Sequence, residues 1–197
     1  MGKATHIAAA LACIGLASAV ASAHVIPIER TLMVTAHADK LEVLAIYSEP
    51  PGVRTERLLA LYDLNRDGRL TGKELPLATP ELAERAFMGI RITVDGEVAN
   101  NSAVEANCKR EANKGLSCAL YLTVAAKLPE RVEVALVNRQ GVLTTPTQIN
   151  AAEGVSADQA TINGEPVEAG AVVRLAPGDA LRVRFNHTPV ANPAPLK

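Results

Sequence analysis

Apolar and polar residues alternate through most of this chain, and the alternation is interrupted once. Leu41, Val43, Ala45 and Tyr47 recur at every second position, as do Ile90, Ile92 and Val94 further on. Between these runs, residues 52–89 follow a helical spacing instead. Successive side chains of a strand point to opposite faces, so an alternating run buries one face of a sheet and wets the other. A chain patterned this way must cover its sheets with one another. Its one helical stretch then reads as an insert.

The spacing predicts strands at 31–35 and 41–47 around a turn near Ala38 and Asp39. Further strands are expected at 90–94, 103–110, 116–125, 131–137, 160–162, 171–175 and 180–185. Asp95-Gly96, Asn163-Gly164 and Pro177-Gly178-Asp179 supply the turn chemistry between them. Short strands punctuated so regularly imply a mostly β fold, an immunoglobulin-like β-sandwich with a small α insert. The expected organisation is first strands in 24–51, the insert in 52–89, the remainder of the sandwich in 90–186 and a disordered tail in 187–197.

Within the insert, residues 55–62 are helix formers that place Leu58, Leu59 and Tyr62 on one face. The next twelve residues, 63–74, read Asp-Leu-Asn-Arg-Asp-Gly-Arg-Leu-Thr-Gly-Lys-Glu. Calcium takes six to eight oxygens at about 2.3–2.6 Å, gathered by a loop that folds back on itself. Asp63, Asn65 and Asp67 carry oxygens at alternate positions, and Gly68 follows where the backbone must turn sharply. Leu70 can dock the loop on the core, and Glu74 can close it with two oxygens. A polar turn rich in Asp and Gly is the plain alternative.

The stretch resembles an EF-hand, and the likeness covers about residues 55–88. It implies one Ca2+ bound by the side chains of Asp63, Asn65, Asp67 and Glu74, by the carbonyl of Arg69 and by Thr71 through a water. Family members usually pair two such loops; no second one is found in this sequence. Arg66, Arg69 and Lys73 offset the three acids of the loop. Weak affinity is expected, on the order of 10⁻⁴–10⁻³ M, suited to a structural clip more than a sensor. The exit is expected to be broken. Pro76 interrupts it, Thr79-Pro80 starts a fresh helix over 81–88, and Gly89 stops that helix.

Residues 1–23 read as a signal peptide, with Lys3, an apolar run over 7–16 and the small-x-small site Ala21-Ser22-Ala23. Export to a periplasm is expected, with secretion or a lipid anchor at Cys13 as alternatives. Two cysteines remain, Cys108 and Cys118. In an exported chain they are expected to form a disulfide across the hairpin that turns at 113–115; two free thiols are the alternative.

The core must be aliphatic, because aromatics make up only 3% of residues and Trp is absent. This argues against base-stacking platforms and sugar-binding strips. Twenty basic residues meet 21 acidic ones with no block of either sign, so neither nucleic acid nor anionic membrane is implied. No transmembrane segment is expected after signal cleavage; the expected partners are calcium and an unidentified protein. Ser102 and Ser117 lack a nucleophile elbow, and no His-Glu-x-x-His motif occurs, so a non-enzymatic module is expected.

A competing reading starts from His24, which cleavage would expose as the mature N-terminus. Its amine and imidazole could chelate copper, as in exported copper carriers, given a second ligand such as His37 or His187. Arg182 and Arg184, with Arg174 as a possible third, read as a solvated strand face.

Overall fold

The computed structural model describes residues 29–99, 103–124, 128–139 and 144–187. The expected signal peptide, Cys13, His24 and residues 188–197 of the expected tail lie outside these residues, whereas His187, expected in the tail, closes the last strand. Strands β1 (Glu29–Ala36) and β2 (Leu41–Glu49) are followed by helices α1 (Val53–Tyr62) and α2 (Glu74–Ala86). Then come β3 (Ile90–Val94), β4 (Glu97–Val98), β5 (Ala103–Arg110), β6 (Leu116–Val124) and β7 (Arg131–Asn138). The last strands are β8 (Thr145–Ala151), β9 (Val155–Ile162), β10 (Glu165–Val167), β11 (Val172–Leu175) and β12 (Ala180–His187).

Two six-stranded sheets result, ordered β11-β8-β1-β2-β6-β5 and β10-β9-β12-β7-β3-β4. The core of the first, β1-β2-β6-β5, is antiparallel throughout, as is β12-β7-β3-β4 in the second. This is the ABED and GFC strand order of an immunoglobulin-like sandwich, with β4 as an added edge. Strands β8 to β11 intervene between β7 and β12 and widen both sheets. β8 joins parallel to β1, and β9 joins antiparallel to β12. The two helices occupy the connection between β2 and β3, where the chain passes from one sheet to the other.

Alternation gives the core its side chains. Leu41, Val43, Ala45 and Tyr47 of β2 lie opposite Val124, Leu122, Leu120 and Cys118 of β6, and all are buried. Val132, Val134 and Leu136 of β7 and Leu181, Val183 and Phe185 of β12 are buried likewise. Each buried Val, Leu or Phe among them contributes about 1.5–3 kcal/mol by leaving water. Cys108 and Cys118 are direct cross-strand partners in β5 and β6, joined as a disulfide with a Cα–Cα distance of 4.1 Å. Lys114 takes the left-handed position of the intervening turn, at φ 68°. Asp95-Gly96 and Asn163-Gly164 make the expected tight hairpins, both residues of each pair having positive φ.

Three expectations need correction. The break at Pro76 does not occur, and α2 is one helix from Glu74 to Ala86. Pro76 is its third residue, where a backbone N–H has no partner within the helix. Thr79 does not cap a new helix; its hydroxyl donates back to the Leu75 carbonyl at 2.8 Å. Pro80 sits inside α2, and both prolines are exposed, so water can reach the carbonyl that Pro80 leaves without its usual amide donor. Secondly, no strand is expected over 145–151, yet β8 forms there, with Thr145 and Thr147 facing inward where alternation calls for apolar residues. Thirdly, Arg174 is on β11 of the other sheet and does not share a face with Arg182 and Arg184. Arg184 donates to Gln159 at 3.2 Å on the solvated side of β12, as expected of that face. Gly89, at φ 74°, follows α2 as the expected stop.

Candidate metal centre

The loop 63–74 connects α1 to α2 and closes upon itself through side-chain oxygens. Asp63, at the C-terminus of α1, accepts from the amides of Asp67 at 3.1 Å and Gly68 at 2.8 Å. Asn65 accepts from the amide of Asp67 at 2.9 Å, and Asp67 from that of Arg69 at 2.9 Å. Glu74, the first residue of α2, spans the loop: one oxygen accepts from the Asn65 amide and the other from the Thr71 amide, both at 3.1 Å. Arg66, Gly68 and Gly72 have positive φ, which lets so short a segment wind inward. Gly68 holds φ 79°, the sharp turn expected of it.

Leu70 is 1% exposed and belongs to the main core cluster. Glu74 is 5% exposed, while Asn65, Asp67, Arg69 and Thr71 are exposed. The loop thus has a buried inner wall and a wet outer one. Among the described residues, no group of three or more His, Cys, Asp and Glu side chains is placed to hold a metal ion as it stands. The acids of the loop point at its own amides instead. A carboxylate has about four lone-pair sites, so an oxygen that accepts one amide retains capacity for a cation. The donor set is all oxygen, which suits a hard divalent ion. The residues therefore fit calcium in kind and in order along the loop.

Charged side chains that the alternation pattern hides fasten α2 behind this loop. Arg30 of β1 is buried and donates to the carbonyls of Ala86 at 3.2 Å and Met88 at 2.7 Å, at the C-terminus of α2. It also donates to Thr145 Oγ1 at 2.8 Å. A cation there meets the negative end of the helix dipole. Burial pulls its pKa down from the usual arginine range, which at neutral pH leaves it charged. Arg85 bridges Glu49 of β2, at 2.7 Å, and Glu81 of its own helix. Burial alone would lower the Arg85 pKa; the two carboxylates outweigh it and leave it raised. Tyr47 beside them is pushed up to about 12, by burial first and then by the charge of Glu49. Tyr62, the last residue of α1, is raised chiefly by its hydrogen bond to Glu81. Arg30 and Glu49 were legible only as charges at inward positions of alternating strands.

The histidines are placed apart. His37, in the turn after β1, contacts Glu42 at 2.9 Å. His187, at the end of β12, contacts the Leu128 carbonyl at 2.9 Å. His37 follows a strand of one sheet and His187 ends a strand of the other, and His24 lies outside the described residues. Among the described residues no helix is long and apolar enough to cross a membrane. No family model matches the chain, and neither a curated protein nor a solved structure matches it.

Proposed function

We propose that this chain is an exported, non-enzymatic calcium-binding module with one EF-hand in the sheet-to-sheet connection of a β-sandwich. Asp63, Asn65, Asp67 and Glu74 would hold the ion, with the Arg69 carbonyl and Thr71 completing the set. The observation that carries this reading is the inward winding of the loop around Glu74, whose two oxygens reach amides near both ends. Bound calcium would offset two of the three charges of Asp63, Asp67 and Glu74 and tie α1 to α2. With one loop and three local cations, the expected Kd is on the order of 10⁻⁴–10⁻³ M, a site filled in calcium-rich surroundings outside a cytosol.

Calorimetric titration of the metal-free protein tests this. One calcium should bind, and Glu74→Gln should lose most of the affinity, because it removes a bidentate anion. Absence of binding heat up to millimolar calcium would reduce the loop to a polar turn.

A further inference from the structure

The edges of the two sheets are unequal. β4 has two residues, β10 has three with Pro166 among them, and β11 has four. Short strands and proline keep a sheet from adding a further strand. β5, the remaining edge, has eight residues, no proline and an unshifted register against β6. The Glu111 amide donates to the Gly115 carbonyl across the hairpin at 2.9 Å. Backbone groups alternate in direction along a strand, so Lys109, Asn107 and Glu105 turn theirs to β6. Val104, Ala106, Cys108 and Arg110 turn theirs outward, and among the described residues no strand lies beyond β5. Helix α2 crosses the inner face of the sheet: it packs on β5, β6 and β2, its Arg85 reaches Glu49, and its end meets Arg30 of β1. On the outer face of β5, Glu105, Asn107 and Lys109 are all exposed.

We propose that β5 pairs antiparallel with β5 of a second copy of this chain, about a two-fold axis at Asn107, and so joins two sheets edge to edge. In such a contact residue i meets residue j, and j meets i. With the axis at Asn107, Glu105 lies opposite the partner's Lys109, and Lys109 lies opposite the partner's Glu105. The same opposite-charge pair is thus made twice, and cross-strand pairs of this kind stabilise a sheet. A lysine by itself blunts an edge against its own copy. Here Glu105, four residues before Lys109, supplies the charge that answers it. Charge also selects the register. An axis at Cys108 would set Glu105 against the partner's Glu111, and an axis at Ala106 would set Lys109 against the partner's Ala103. Asn107 on the axis meets its own copy in a non-hydrogen-bonded pair, the closer of the two antiparallel kinds. Cys108 and Cys118 are joined across a pair of that kind on the other side of the strand.

Sedimentation equilibrium over a concentration series, with crosslinking through one introduced cysteine, tests the assignment. The wild-type protein should reach a dimer and go no further, because each chain has one long edge to give. Glu105→Lys sets lysine against lysine twice and should weaken the dimer by about tenfold or more. Lys109→Glu should do the same by setting glutamate against glutamate. Glu105→Lys with Lys109→Glu restores both pairs and should return the dimer to wild-type strength. Under oxidised glutathione, Asn107→Cys should form a disulfide between two chains, and Glu105→Cys should not, because the axis holds its two copies apart. A wild-type protein that stays monomeric at every concentration overturns the proposal. A dimer indifferent to both charge reversals also overturns it, as does a double variant that melts like wild type and fails to recover the dimer. Crosslinking of Glu105→Cys as ready as that of Asn107→Cys overturns the register.

Discussion

Helix α2 is fastened to the sandwich near its C-terminus, whereas α1 has α2 as its main neighbour. Arg30 grips the last carbonyls of α2, Arg85 grips Glu49, and Ala78, Leu82 and Ala86 are fully buried. On α1 only Thr55 and Leu58 are buried, and its outer residues meet water. The loop thus joins a fixed element to a lightly held one. A cation in such a loop would secure α1 more than it would move α2. That favours a clip over a device that opens the helix pair, since opening needs two arrangements of comparable energy.

The largest effect should come from the fixed side. Arg85→Met leaves the Glu49 carboxylate buried without its cation and should cost about 3 kcal/mol in chemical denaturation. Leu82→Ala, in the same helix, should cost about 3 kcal/mol through the cavity it opens. A loss below about 1 kcal/mol in both would show that α2 is no better fixed than α1.

The disulfide lies in the part of the sheet on which α2 packs, through β5 and β6. Cys108→Ser with Cys118→Ser should cost about 2–3 kcal/mol, as expected for a short closed loop.

Alkali should then probe the junction of α2 with β2. The Tyr47 pKa is raised to about 12 in the folded protein, above its unfolded value of about 10. Its contribution is therefore complete below about pH 10 and is lost as the pH rises through about 12, roughly 2 kcal/mol in all. Tyr47→Phe should flatten that part of the stability–pH curve. An unchanged alkaline slope would remove Tyr47 from the account.

Calcium gives the next effect. At ten times the Kd it should add about 1.4 kcal/mol to the wild-type protein and far less to Glu74→Gln. Leu61→Ala should be the mildest change, within about 0.5 kcal/mol, because its side chain is already in water.

Much of this contrast was legible in the residues. The inner faces of β2 and β6 followed from alternation alone, and the loop from its oxygens and Gly68. The disulfide followed from an even cysteine count flanking one turn. What was not legible came from long-range partners. Arg30 and Thr145 are polar at inward positions because they meet each other and the end of α2, 115 residues apart along the chain in one case. Local reading therefore passed over β8. Pro76 looked like a break because only the helix start, set by Glu74 closing the loop, makes its position harmless.

Amide hydrogen exchange of α1 and α2, with and without calcium, would distinguish a fixed helix from a lightly held one. Exchange in α2 should be slow under both conditions, and exchange in α1 should be faster and be slowed by calcium together with the loop. Equal protection of the two helices without calcium, or a calcium response concentrated in α2, would contradict that distinction.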